Sequence, residues 1–124
     1  MAFDVTVTAE TAERLRPELD RLVAEFRAMA RMLVDALPNP DEDDDIPDEV
    51  VAGGRTWWVH WHDPHYCCVD EADVVVEAHI YYPDLVDPWF LLQYAQTAGG
   101  HDAVVEACPA GFHDIARLLD LHGV

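Results

Sequence analysis

The chain has 124 residues and a formal net charge of −18 at pH 7, with 25 acidic side chains against seven arginines and no lysine. A surface this negative repels phosphate backbones and anionic lipid headgroups, so the sequence argues against direct nucleic-acid or membrane binding. A hydrophobic fraction of 51 % nonetheless supplies a core for one domain over residues 1–124, which argues against global disorder.

No apolar run approaches the ~18 residues needed to cross a bilayer. The first ten residues, MAFDVTVTAE, contain Asp4 and no basic residue, which does not fit a signal peptide. Three cysteines, two of them adjacent at Cys67 and Cys68, form no disulfide framework and fit reduced thiols in a cytoplasmic protein.

In chain order, residues 2–8 alternate, with Phe3, Val5 and Val7 on one side and Asp4, Thr6 and Thr8 on the other, which predicts a short edge strand. Thr8 or Thr11 can cap the main helix, and Pro17 suits a kink or the first turn of that helix. From there Leu19, Leu22, Val23, Phe26, Met29, Ala30, Leu33 and Leu37 recur at three- and four-residue steps, an amphipathic helix that Pro38 and Pro40 end. Residues 38–54 then form an exposed acidic loop, with seven acids between Asp41 and Glu49 and a Gly53-Gly54 exit.

Residues 56–82, TWWVHWHDPHYCCVDEADVVVEAHIYY, are rich in β-branched and aromatic side chains and predict a three-stranded antiparallel meander. Asp87-Pro88 starts a helix that runs to Gly99-Gly100 and is apolar enough to need cover from the sheet plus another helix or a second copy. Residues 102–108 lean towards a strand, and Phe112, Ile115, Ala116 and Leu119 mark a closing helix ending at Gly123. The expected fold is α+β: a small antiparallel sheet, made of the meander and the N-terminal strand, packed by a long N-terminal helix and two C-terminal helices.

His60 and His62 alternate on one strand, so their imidazoles share a face about 7 Å apart. With Pro64 and His65 as central turn residues, His62 faces Cys67, and His60, His62 and Cys67 form a candidate zinc patch. Taking Glu71-Ala72 as a two-residue loop then puts Val69, Val74, Val76 and Ile80 on that face, and Glu77 and His79 on the tryptophan face. A one-residue slip exchanges these faces, and the register stays open. Structural histidines, a metal subset of His60, His62, His65, Cys67 and His79, and an interface are the three readings. The first is preferred, with no cofactor expected.

The chain lacks a G-x-S-x-G elbow, a phosphate-cradling G-x-x-x-x-G-K-[ST] loop and a G-x-G-x-x-G turn. It contains no serine and no lysine, which removes a serine nucleophile and Schiff-base chemistry. An enzyme is therefore not expected.

Charge points to one class of partner. Residues 1–37 hold five arginines against seven acids, a net of −2, whereas residues 38–124 hold two against eighteen, a net of −16. Such a surface attracts a basic protein. The leading expectation is a small acidic binding or inhibitor protein that occupies the basic surface of a nucleic-acid-binding partner. Its sharp form is a DNA mimic of the phage or mobile-element inhibitor or immunity type. The candidate contact residues are Asp41, Glu42, Asp43, Asp44, Asp45, Asp48 and Glu49 in the loop, with Asp70, Glu71 and Asp73 at a turn. The competing readings are a zinc module on the His60/His62 strand, a salt-adapted domain of unrelated function, and an assembly protein that forms a homodimer.

Overall fold

The structure, a computed structural model, describes residues 5–42 and 45–124. Its first element is the helix α1, Ala9–Ala36, capped by Thr8, whose hydroxyl accepts the Thr11 amide at 3.2 Å. Pro17 lies inside this helix rather than at its start. The helix stops because Pro38 pushes Leu37 out of the helical region, to φ −109° and ψ 146°. Its apolar stripe, Leu15, Leu19, Leu22, Phe26 and Leu33 among others, is buried.

Four antiparallel strands come next, in simple order: β1 (Glu49–Ala52), β2 (Arg55–His62), β3 (His65–Asp70) and β4 (Val75–His79). Trp57, Val59, Tyr66, Cys68, Val76 and Ala78 point inward and join the α1 stripe in one contiguous core. Two polar tips in this core are satisfied locally, Trp57 Nε1 by Ala52 O at 3.1 Å and the Tyr66 hydroxyl by Pro38 O at 2.8 Å.

The fourth strand is not the one expected. Residues 2–4 lie outside the described residues, and Val5 to Thr8 form no strand. The Thr6 amide and hydroxyl instead donate to Asp114 at 2.8 and 3.2 Å, which hooks the segment to the C-terminal helix while Val7 packs in the core. The sheet takes its fourth strand from the end of the acidic loop, because Gly53 (φ 61°) and Gly54 (φ 73°) make a tight hairpin turn of the type that needs two positive φ angles. The loop is therefore shorter than residues 38–54.

Helix α2, Pro88–Ala98, starts on Asp87, whose carboxylate accepts the Trp89 and Phe90 amides at 2.9 and 3.3 Å. It lies along β4, where Val75 N donates to Thr97 Oγ1 at 3.1 Å, so the helix covers that sheet edge. Its apolar sides are buried by β4, α1 and the two short C-terminal helices, α3 (Asp102–Glu106) and α4 (Phe112–His122). Residues 102–106 are thus helix, not strand. The β4 edge is already occupied, and the Val104 and Val105 amides turn back onto His101 O at 3.1 Å.

Candidate functional site

The outer face of the sheet carries the chemistry. The β2–β3 turn is Asp63-Pro64, joined by a cis peptide, so His62 pairs with His65 and His60 pairs with Cys67. His60, His62 and Cys67 share a face as expected, but His60 rather than His62 stands opposite the thiol.

The next turn overturns the expected two-residue loop. Asp70 Oδ1 accepts the amides of Ala72 and Val74, each at 2.9 Å, and Asp73 adopts φ 62°. That geometry makes a three-residue loop, with Val69 opposite Val75. Val74 and Val76 consequently turn into the core, and Glu77 and His79 join the histidines. Three adjacent strands now present two complete rows: His60, Cys67 and Glu77 in one, and His62, His65 and His79 in the other.

The rows run from solvent to interior. His60 and His62 are exposed, with ring centroids 4.4 Å apart, His65 and Cys67 are half-buried, and Glu77 is only 4 % exposed. Glu77 Oε2 lies 3.5 Å from His65 Nδ1, while its Oε1 has no hydrogen-bond partner among the described residues. Burial, reinforced by Asp87, pushes the Glu77 carboxyl up to about 7. Burial also lowers the His65 pKa, helped by His62 and His79 and opposed by Asp87, and burial lowers that of His79. Cys67 is raised by burial and by Glu77, so it stays a thiol. Burial thus disfavours the charged forms of Glu77, His65 and His79 alike.

Among the described residues no group of three or more His, Cys, Asp or Glu side chains is placed to hold a metal ion. His79 is committed elsewhere: its Nδ1 accepts the Tyr82 amide at 3.0 Å, so its neutral ring carries the proton on Nε2.

The array continues into a belt of rings. His79 lies 5.3 Å from Tyr82 and 6.4 Å from Tyr81, His65 lies 6.5 Å from His79 and 5.2 Å from Phe90, and Phe90 lies 4.8 Å from Trp89 (centroid distances). Tyr81, Tyr82, Pro83, Asp84 and Leu85 line a groove of about 410 Å³ beside it. A second concavity, of about 390 Å³, opens at the far end of the sheet between Arg55, Asp70, Glu71, Tyr94 and Thr97.

Compared with protein-family models, curated proteins and solved structures, the chain matches none.

The acidic candidates fall into separate groups. Asp41, Glu42, Asp45, Asp48 and Glu49 are exposed, and Asp43 and Asp44 lie outside the described residues. Asp41 accepts a hydrogen bond from the Tyr81 hydroxyl, which draws the loop onto the ring belt. Asp48 is tied through its carbonyl to Val59 N at 2.8 Å. Glu71 and Asp73 sit at the opposite end of the sheet, in the β3–β4 turn, where Glu71 accepts the Thr56 amide at 3.2 Å. Asp70 is buried, holds that turn together and accepts Arg55 Nη1 at 3.1 Å, so it faces no partner. Glu77, Tyr81, Tyr82 and Trp89 had no place in the sequence-derived site. The run of aromatics at residues 79–90 was the signal available for them.

Proposed function

We propose that this chain is a small acidic, non-enzymatic binding protein that occupies a basic surface of a nucleic-acid-binding partner, in the manner of the DNA-mimic inhibitors and immunity proteins of phage and mobile elements. The observation that carries the reading is where the cations go. Arg16, Arg21 and Arg117 pair with acids on their own helices, Arg31 pairs with Asp84, and Arg55 with Asp70. Arg27 donates to the Asp84 carbonyl. Glu42, Asp48 and Glu49 meet no cation among the described residues and stand exposed, as does Asp41. Exposed carboxylates without a cation, on a framework that has already used most of its arginines, are an electrostatic lure for a basic groove.

The test is capture of partners on the immobilised protein from lysate, eluted with rising salt, beside a variant with Asp41, Glu42, Asp43, Asp44 and Asp45 changed to Asn or Gln. The expected result is retention of one basic nucleic-acid-binding protein that is released by salt, displaced by DNA or RNA, and weakly held by the variant. Retention of no basic protein, or stability of the chain that collapses when salt is removed, would favour salt adaptation instead.

A further inference from the structure

We propose that the ring belt at the end of the sheet, Tyr81, Tyr82, Leu85 and Trp89 with Asp41, Asp84 and Asp87 among them, is a docking surface for an arginine-rich segment of the partner. This rests on the proposal that the partner is basic, and it names the surface and the side chain that surface takes. Four large apolar side chains within nine residues of the β4–α2 connection stay exposed, at 42 % for Tyr81, 67 % for Tyr82, 47 % for Leu85 and 48 % for Trp89. They are held in place without a ligand. The Tyr82 amide is fixed on His79 Nδ1, Leu85 N donates to Tyr82 O at 2.9 Å, and Arg27 Nε holds the Asp84 carbonyl at 3.1 Å. Asp87 locks the Trp89 amide. A partner therefore meets a surface already ordered, which lowers the entropic cost of binding.

Charge selects the occupant. Asp41 reaches the belt from the acidic loop and Asp87 from the start of α2; of the cations beside the groove, Arg31 lies 3.9 Å from the Asp84 carboxylate and Arg27 donates to the Asp84 carbonyl. A second copy would bring another −18, and nucleic acid would bring phosphates, so both are repelled. A guanidinium suits the site better than an ammonium. It stacks on tyrosine and tryptophan faces while donating in a fork to carboxylates.

The experiment titrates octa-arginine, octa-lysine and octa-glutamate into the full chain at about 0.15 M salt, monitored by calorimetry and by the ring resonances of Tyr82 and Trp89. It compares the parent with Tyr82→Ala/Trp89→Ala, with Asp41→Asn/Glu42→Gln/Asp45→Asn, and with Phe112→Ala, which removes an exposed ring on α4. Circular dichroism checks that each variant is folded. We expect octa-arginine to bind more tightly than octa-lysine and octa-glutamate not to bind. The double ring variant should lose about tenfold or more in affinity, the equivalent of one or two cation–π contacts, and Phe112→Ala should match the parent. Undiminished binding by the ring variant overturns the proposal, and if the loop variant alone loses affinity, the basic-partner reading survives. Equal binding of the two cationic peptides also overturns it, as does self-association abolished by the ring variant, which would make a second copy the occupant. Failure to bind either cationic peptide overturns both readings together.

Discussion

Replacing Glu77 by Gln tests the electrostatics of the outer sheet face most directly. Burial holds this carboxyl at about 7 where an ordinary glutamate titrates at 4.5. Between those two values the folded chain keeps a proton that the unfolded chain has released, so stability falls as pH rises through that window. Above about pH 7 the ionised carboxylate costs the fold about 3 kcal/mol, an upper figure because the side chain can relax towards water. Glutamine keeps the shape and removes the charge. The Glu77→Gln chain should therefore be more stable than the parent by about 2–3 kcal/mol near pH 8, and the gap should close towards pH 4.

His65 and His79 act with the opposite sign. Their pKa values are lowered in the fold, so protonating them costs stability as pH falls below 6.5. Both proteins share that limb, and it cancels in the difference apart from the coupling of His65 to Glu77 across 3.5 Å. Urea unfolding of the two chains at a series of pH values from about 4 to 9 measures the difference. Exposed Glu71→Gln serves as the control for simply removing one charge from an acidic molecule. A pH-independent difference, or a Gln variant that is weaker near pH 8, would refute this reasoning, because the carboxylate would then be stabilised by His65 rather than penalised by burial.

Three further substitutions or reagents probe the same face and its supports. Asp70→Ala leaves the Ala72 and Val74 amides and Arg55 without their acceptor, and should cost about 2–4 kcal/mol in urea unfolding, whereas Glu71→Gln should change stability by less than about 0.5 kcal/mol. Asp73→Gly should stabilise the chain by about 0.5–1 kcal/mol, since a non-glycine residue holds φ 62° there; a loss of stability would mean that its carboxylate has a structural role. Burial pushes the Cys68 and Cys108 thiols up to about 12, with Cys67 adding to the first and Asp114 to the second. A thiol reagent near pH 8 should therefore modify Cys67 alone until the protein is unfolded, and rapid reaction of all three in the native state would contradict this.

Much of the fold was legible because periodicity reports burial. The stripe from Leu19 to Leu33 fixes α1, and Asp87-Pro88 with Gly99 frames α2 at both ends. The failures were at places where a tertiary contact outweighs a local pattern. Residues 5–8 alternate like a strand, yet a carboxylate 108 positions away takes the Thr6 amide. The segment VVAGGRTW contains a hairpin signal, two glycines between β-formers, but the acids before it made it read as loop. Residues 102–106 have a strand's composition, yet the Val104 and Val105 amides close a helical turn on His101 O.

The candidate site was hidden for a narrower reason. Moving the β2–β3 turn by one residue shifts the pairing by two and leaves every side chain on its face, so His60, His62 and Cys67 stay together in either register. Lengthening the β3–β4 loop by one residue shifts the pairing by one and reverses the whole of β4. That single step buries Val74 and Val76 and brings Glu77 and His79 up beside His65. It is set by one carboxylate, because Asp70 binds two amides of the loop and is itself held by Arg55. An aspartate that looks in the sequence like one more surface charge thus sets the register that brings Glu77 and His79 onto the face of His60, His62 and His65.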